Sequence, residues 1–159
     1  MMDLFKFRDY LNFLMTKIEV TENEAKHLKF IYRQQYEESR RVKTTSLAKF
    51  FGVRPASVTE VLRNLSRKKL VIHHRYRGVE LTPKGIKITQ KLLRKHRILE
   101  VLLANFLGHD KEKACQEASR LDYHVSEELV NSICRAYGHP RLCPCNKPIF
   151  PDPKCEEVR

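Results

Sequence analysis

One short segment, residues 47–59, restricts the fold of this chain more than any other stretch. Leu47 and Val53 are apolar positions that would pack a short helix and the turn after it. Gly52 suits a left-handed helix end, and Pro55 suits the first turn of a new helix because its missing N–H is not needed there. The segment therefore predicts two helices joined by a tight turn.

The segments on either side complete an order of elements. Residues 21–24 read Thr-Glu-Asn-Glu, the pattern of a capping box that starts a helix. Residues 70–74 and 79–81 have the composition of a β-hairpin, and Thr82 with Pro83 opens a long helix. Helix, short helix, turn, helix and hairpin together predict a winged helix-turn-helix, which is a DNA-binding arrangement.

Helical signals continue beyond the hairpin. Apolar residues recur at helical spacing as far as Phe106, and Asp110 and Ser126 each cap a further helix. Five prolines from Pro140 onward predict an irregular tail. An apolar stripe also predicts an amphipathic helix over residues 1–20. The predicted fold class is mainly α with a small β-hairpin, an N-terminal winged helix-turn-helix followed by a helical domain.

Positive charge is concentrated in one part of the chain. Lys and Arg total 31 against 19 Asp and Glu, a formal net charge of +12. Residues 61–100 hold 12 of those cations against only Glu80 and Glu100, so this window alone carries +10. Such a window predicts a binding surface for a polyanion, most often nucleic acid.

Several classes of protein are excluded by the sequence. No run approaches the roughly 18 apolar residues of a membrane span, and charges scattered through residues 1–20 interrupt any secretion signal. Five cysteines, all in the C-terminal third, do not form a chain-wide disulfide framework. We therefore expect a cytoplasmic protein with no membrane partner. No P-loop, dinucleotide motif or Ser–His–Asp order is present, so we expect no enzymatic activity.

The outer face of the second helix of the pair carries side chains that read bases and bind phosphates. Arginine contacts guanine or phosphate, serine and threonine contact either, and glutamate accepts from cytosine. Two arginines at the hairpin tip would lie against the flanking backbone or the minor groove. The predicted DNA-binding residues are Arg54, Pro55, Ala56, Ser57, Thr59, Glu60, Arg63, Arg75 and Arg77.

Four stretches of the chain resemble one family of regulators. They are residues 47–59, residues 77–85, residues 94–97 with Glu100, and residues 143–149, which read Cys-Pro-Cys-Asn-Lys-Pro-Ile. Over roughly four-fifths of its length the chain resembles the diphtheria toxin repressor family of metal-activated transcription regulators, in particular the short manganese transport regulator branch without an SH3-like domain. The resemblance implies a homodimer that binds double-stranded DNA at a palindromic operator.

The resemblance also implies how the chain divides. Dimer contacts are expected in the helices that follow the long linker helix. The predicted segments are an extra N-terminal helix over residues 1–20, a winged helix-turn-helix DNA-binding domain over residues 21–85, a linker helix with a helical metal-binding and dimerisation domain over residues 86–140, and an irregular Cys- and Pro-rich tail over residues 141–159.

A divalent transition metal, Fe, Mn or Zn, is the cofactor that the family implies. His96 and Glu100 stand four residues apart, so one helix face presents an imidazole and a carboxylate, although such pairs are more often surface ion pairs. The resemblance places both at ligand positions of the family. It also places Cys115 and Asp122 at ligand positions, and a thiolate would favour the softer Zn²⁺ or Fe²⁺.

Other ligand positions of the family are not kept. Lys26 and Lys29 stand where the family has its N-terminal ligands, and Ser119 and Tyr123 replace two others. An ammonium group repels a metal cation. Two alternatives follow. Either one site survives on His96, Glu100 and Cys115, with Asp122 or His124 as a further ligand, or metal activation is lost and Lys26 replaces the metal's charge by pairing with Asp122.

Alternatives to metal sensing also remain open. A winged-helix regulator could instead sense thiol redox or another signal, and a non-specific nucleic-acid-binding module would explain the charge alone. Cys143 and Cys145, flanked by Cys134 and Cys155, would be free thiols, a structural zinc site or a redox pair.

Overall fold

The computed structural model describes residues 20–74 and 77–156. The helices are α1 (Glu22–Tyr32), α2 (Thr44–Phe51), α3 (Pro55–Arg67), α4 (Pro83–Asn105), α5 (Lys111–Leu121), α6 (Glu127–Ala136) and α7 (Pro153–Glu156), and the strands are β1 (Val71–His74) and β2 (Gly78–Leu81). A π-helical turn, Arg33–Glu37, follows α1. The amphipathic helix predicted over residues 1–20 lies outside the described residues, apart from Val20. None of the helices in the two described ranges has the length and apolarity that crossing a membrane requires.

The predicted helix starts are confirmed. At α1 the Thr21 hydroxyl accepts a hydrogen bond from the Glu24 amide at 3.2 Å, and the Glu24 carboxylate accepts one from the Thr21 amide at 2.7 Å. The side chains of Thr82, Asp110 and Ser126 cap α4, α5 and α6 in the same way, each accepting from the third amide of its helix. Local sequence therefore determines where these helices begin.

The winged helix-turn-helix forms as predicted. Gly52 ends α2 in the left-handed conformation, with φ of 64°, and Pro55 is the first residue of α3. Strands β1 and β2 pair antiparallel to form the wing, with Val71 opposite Leu81. The prediction that Val53 packs in the interior is wrong, since 43% of it is exposed. Other apolar side chains, including Leu47 and Leu62, fill that space and are fully buried.

Two hydrophobic clusters lie along the long helix α4. The first joins α1, α2, α3 and the wing to the start of α4, and the second joins the end of α4 to α5 and α6. The predicted apolar face of α4 is wrong at Phe106, which follows the helix and is 76% exposed. A 23-residue helix without interruption therefore connects the two halves of the molecule.

The tail after Pro140 has little regular structure. Leu142 and Pro148 form an isolated β-bridge, and Pro153–Glu156 forms the short helix α7. Phe150 packs against the first hydrophobic cluster. An interior side chain, Arg97, donates a hydrogen bond to the Pro148 carbonyl, so the tail is held against the body although it is mostly irregular.

The basic window over residues 61–100 does not form one surface. Arg94, Lys95 and Arg97 are buried. The guanidinium of Arg97 pairs with Glu37, and the ammonium of Lys95 donates to a backbone carbonyl at 2.7 Å. These cations therefore stabilise the interior, and a polyanion would meet only the exposed cations of the window.

Candidate functional site

Three of the predicted metal ligands meet in the interior. His96 and Glu100 lie one turn apart on α4 and are only 1% and 2% exposed. His96 Nε2 lies 3.2 Å from Glu100 Oε1, and Cys115 Sγ, from α5, lies 3.4 Å from the same nitrogen. One donor atom from each residue lies within 4.8 Å of the others. The pair on α4 is thus not a surface ion pair.

Two cysteines of the tail join the same group. Cys145 Sγ lies 3.5 Å from Glu100 Oε1, and donor atoms of Glu100, Cys143 and Cys145 lie within 4.8 Å of one another. We call His96, Glu100, Cys115, Cys143 and Cys145 the donor cluster. A cleft of about 180 Å³ leads to it. The sequence analysis treats the tail cysteines as independent of the His96–Glu100 pair. The Cys-Pro-Cys motif is the sequence signal that could have indicated their association.

The donor cluster fits a divalent transition metal. Glu100 Oε2 is buried and has no hydrogen-bond partner among the described residues, so one acceptor oxygen of the cluster is left unsatisfied. As ligands the cluster offers an imidazole, a carboxylate and three thiols. Thiolate and imidazole together favour Zn²⁺ or Fe²⁺ over the harder Mn²⁺.

Asp122, also predicted as a ligand, lies on the other side of His96 from the donor cluster. Its Oδ2 atom lies 3.0 Å from His96 Nδ1, the ring nitrogen on the edge away from Glu100 and Cys115. A carboxylate in this position orients the imidazole by accepting a hydrogen bond from Nδ1. His124, the other further ligand considered, is exposed beside Glu22.

A lysine from α1 pairs with Asp122, but it is not the predicted one. The ammonium of Lys29 contacts Asp122 Oδ2, and both side chains are buried. Lys26 instead lies one turn earlier on the outer face of α1, with 47% of its side chain exposed, and pairs with Glu22 at 2.8 Å. Asp122 therefore connects His96 in α4 with α1.

The two remaining departures from the family pattern have other partners. The Ser119 hydroxyl donates to the Cys115 carbonyl at 2.9 Å, and the Tyr123 hydroxyl donates to the Val20 carbonyl at 3.0 Å. Neither residue faces the donor cluster as a candidate ligand.

The electrostatics of the donor cluster follow from its contacts. Burial by itself lowers the pKa of His96. Hydrogen bonds with Asp122, Cys115 and Glu100 outweigh burial and raise that pKa to about 9. Burial also opposes ionisation of Glu100, but the imidazole of His96 lowers the pKa of that carboxyl to about 2. His96 and Glu100 are therefore a buried ion pair at neutral pH.

The pKa values of the tail thiols Cys143 and Cys145 are raised, which favours their neutral form. Burial and the neighbouring Glu100 carboxylate raise the pKa of Cys143 to about 11 and that of Cys145 to about 12. Both are therefore protonated at neutral pH. Since the thiolate is the nucleophile in thiol oxidation, these thiols are poorly reactive.

The predicted DNA-binding residues lie on the outside of the winged helix-turn-helix. Thr59, in α3, is half-buried. Its hydroxyl donates to the Pro55 carbonyl at 2.9 Å and is therefore directed back to the helix. Arg77, at the wing, is exposed, whereas Arg75 lies outside the described residues. The other predicted residues, all exposed, are Arg54, Pro55, Ala56, Ser57, Glu60 and Arg63.

A winged helix-turn-helix joined by one helix to a second helical domain with a buried donor cluster defines a class, the DNA-binding regulators with a candidate metal centre. Residues 19–79 match the model of the iron dependent repressor N-terminal DNA binding domain. Residues 82–151 match that of the iron dependent repressor metal binding and dimerisation domain. The chain therefore belongs to the iron-dependent repressor family, whose members are transcriptional regulators and not enzymes. The predicted fold and family are confirmed.

Relatives with curated descriptions are named as HTH-type transcriptional regulators. An uncharacterized HTH-type transcriptional regulator of Methanocaldococcus jannaschii is 36% identical over 107 residues, which are 67% of this chain and 86% of that protein. The HTH-type transcriptional regulator MntR of Bacillus subtilis is 32% identical over 61% of this chain and 68% of MntR.

Solved structures share the fold. A manganese-dependent transcriptional repressor in complex with manganese matches with a TM-score of 0.75 and 32% identity, over 82% of this chain. This chain spans only 59% of the length of that repressor. A hypothetical protein from Sulfolobus solfataricus matches with a TM-score of 0.65 and 32% identity, over 83% of this chain and all of the other.

Proposed function

We propose that this chain is a metal-responsive repressor that binds a palindromic operator as a cytoplasmic homodimer. The observation that carries the proposal is the buried donor cluster with its unpartnered Glu100 oxygen. The match to the metal binding and dimerisation domain of the family supports a metal-responsive regulator. The solved structure of a similar repressor with bound manganese supports metal binding as well.

His96, Glu100 and Cys115 would hold the ion, and Cys143 and Cys145 are further donors beside Glu100. A divalent cation supplies positive charge that balances the carboxylate and the thiolates. His96 would give up its Nε2 proton and keep Nδ1–H directed at Asp122, and the thiols would release theirs. The thiolates favour Zn²⁺ or Fe²⁺ as the ion.

The route from this site to DNA runs through Asp122. Its carboxylate contacts His96 on one side and the Lys29 ammonium on the other, and Lys29 belongs to the first helix of the DNA-binding domain. Fixing the His96 ring would therefore fix α1 relative to α4 and, with it, the position of α3. We propose that the metal acts by this ordering.

The proposed DNA contacts divide into two kinds. Glu60 and the exposed arginines of α3 would reach base edges in the major groove, while Arg77 of the wing would contact phosphate. A Glu60→Ala variant should change which operator sequences are preferred. An Arg77→Ala variant should weaken binding to all sequences alike and reduce the salt dependence. Equal loss on all sequences in both variants would favour a non-specific module.

Exposed apolar residues support the homodimer. Phe106 and Leu107 stand after α4, in the part that matches the dimerisation domain, and are 76% and 54% exposed. Apolar side chains grouped this way at a surface are typical of protein interfaces.

A second candidate is a regulator that needs no metal. It is favoured by the buried Lys29–Asp122 pair, because an ammonium already neutralises Asp122 in the absence of any ion. Thiol oxidation is not favoured as the signal, since the tail thiols are protonated at neutral pH.

The test is fluorescence anisotropy with a labelled duplex from the promoter of the chain's own gene, at one salt concentration and without oxygen. Binding is measured in chelator and then with Mn²⁺, Fe²⁺ or Zn²⁺. We expect the metal to tighten binding by roughly 5- to 150-fold, the usual range of allosteric coupling. The gain should vanish in His96→Ala and persist in His124→Ala, a matched variant with an exposed imidazole. Equally tight, sequence-selective binding in chelator would establish the metal-independent candidate.

A further inference from the structure

We propose a second metal site, a zinc site formed by Cys134, His139 and Cys155, separate from the donor cluster. Cys134 lies near the end of α6, His139 lies in the loop that follows, and Cys155 lies in α7. Three separate segments thus bring two thiols and an imidazole to one point. The proposal does not depend on whether the donor cluster binds metal.

The distances between the three donor atoms are close to those between the ligands of a bound zinc ion. His139 Nδ1 lies 3.6 Å from Cys134 Sγ and 3.7 Å from Cys155 Sγ, and the three donor atoms lie within 4.8 Å of one another. In a tetrahedral zinc site each ligand lies about 2.0 to 2.3 Å from the ion, so donors lie somewhat under 4 Å apart. Only small side-chain rotations are needed.

The position of each donor is fixed by the backbone around it. The His139 amide donates to the Cys134 carbonyl at 2.9 Å, so the chain turns back on α6 immediately after Gly138. Cys155 is 1% exposed, packs in the second hydrophobic cluster, and donates to the Asn131 carbonyl at 3.7 Å. Its thiol is therefore held against α6.

The donor set selects the metal. Thiolate and imidazole are ligands that zinc takes, two Cys and one His with water as the fourth ligand is the coordination of an open zinc site, and the sulfurs disfavour harder ions such as Mn²⁺ and Mg²⁺. Binding would displace the two thiol protons, so the two thiolates balance the 2+ charge of the ion. A cleft of about 480 Å³ opens beside the group, so water can supply the fourth ligand. Asp152, a carboxylate that lines the same cleft, instead accepts from Asn131 at 3.3 Å and pairs with Arg94 at 3.9 Å.

Zinc at this site would hold the end of the tail against α6. The same tail carries Phe150, which packs on the first hydrophobic cluster, and Cys143 and Cys145, which reach the donor cluster. A fixed tail end would therefore keep both of these contacts in place.

The test uses Co²⁺ as a spectroscopic substitute for zinc in the full-length chain. In a Cys115→Ser/Cys143→Ser/Cys145→Ser background, the only remaining thiols are Cys134 and Cys155. We expect one equivalent of Co²⁺ per chain with a thiolate-to-cobalt charge-transfer band, which Zn²⁺ displaces. Adding His139→Ala should remove this equivalent, and adding His124→Ala, an exposed imidazole elsewhere, should not.

A second measurement covers the case in which the triple variant does not fold. The zinc content of the otherwise unchanged chain should fall by one equivalent in His139→Ala and stay the same in His124→Ala. His139 is exposed, so its removal leaves the interior intact. Unchanged zinc content in His139→Ala would overturn the proposal, as would a folded triple variant without a charge-transfer band. A Cys134–Cys155 disulfide in protein purified with reductant would also overturn it.

Discussion

His96 is the residue through which the candidate site responds to pH. Its pKa is raised from 6.5 to about 9 in the folded chain. A group with a raised pKa stabilises the fold fully below its unfolded value and loses that contribution as the pH rises through the folded value. The metal-free chain should therefore lose about 3 kcal/mol of unfolding free energy between pH 6.5 and about 9.

Urea denaturation in chelator across this range measures the effect. The slope should disappear in His96→Gln, which cannot be protonated. Glu100 acts in the opposite direction: its pKa is lowered from 4.5 to about 2, so its contribution is lost only as the pH falls below 4.5. An unchanged slope above neutral pH in His96→Gln would show that other groups cause the dependence.

A second prediction concerns Gly85. The expected effect of replacing it with alanine is opposite to the effect that helix propensity alone would give. It lies in the first turn of α4, where alanine normally stabilises a helix relative to glycine. Here a Cβ atom would lie 2.0 Å from the Leu70 carbonyl oxygen, at the end of the wing. We expect Gly85→Ala to destabilise the chain by about 1 to 3 kcal/mol, as overpacking does, in thermal or urea unfolding. Lys87→Ala, an exposed change in the same helix, should have little effect.

At the scale of elements, the Lys29–Asp122 pair connects α1 to the end of α5. Removing the ammonium leaves a buried carboxylate with His96 alone, so Lys29→Met should cost about 3 kcal/mol of unfolding free energy. The matched variant Lys26→Met breaks the half-exposed pair with Glu22 and should cost at most about 0.5 kcal/mol. Similar losses in the two variants would mean that Asp122 is compensated by another group.

The contrast between these two lysines also shows where sequence reasoning reaches its limit. Helix starts, the Gly52 turn and the Pro55 start depend on neighbouring residues, and the sequence predicts them. The apolar residues Ala25, Leu28 and Tyr32 favour the face of α1 that carries Lys29 over the face that carries Lys26. That Asp122 lies opposite this face depends on how α5 packs on α4, and local sequence patterns do not contain that contact.

Longer-range contacts were harder still to predict. The four tail-associated cysteines do not meet: Cys143 and Cys145 reach Glu100, whereas Cys134 and Cys155 reach His139. This division depends on the path of the tail, which an interior arginine fixes through the Pro148 carbonyl. From the sequence alone, these four cysteines could be free thiols, a structural zinc site or a redox pair.

At the scale of the whole molecule, the exposed residues after α4 predict the assembly. Phe106→Asp would place a charge in the proposed dimer interface, so we expect the variant to be monomeric in analytical ultracentrifugation and to bind the operator weakly. Phe50→Asp introduces the same charge at a 65% exposed phenylalanine of the DNA-binding domain, and this variant should stay dimeric. A dimer in both variants would place the interface elsewhere on the second domain.

The continuity of α4 also limits how the length of this chain can change. The DNA-binding domain packs on the first part of this 23-residue helix, as far as Leu93, and the second hydrophobic cluster packs on the last part from Ile98, with no break in the helix. One inserted residue would rotate the two ends relative to each other by roughly 100°. In a dimer, that rotation would turn the two α3 helices so that they no longer face the same side of the duplex. We therefore expect α4 to change in length only in steps close to whole turns.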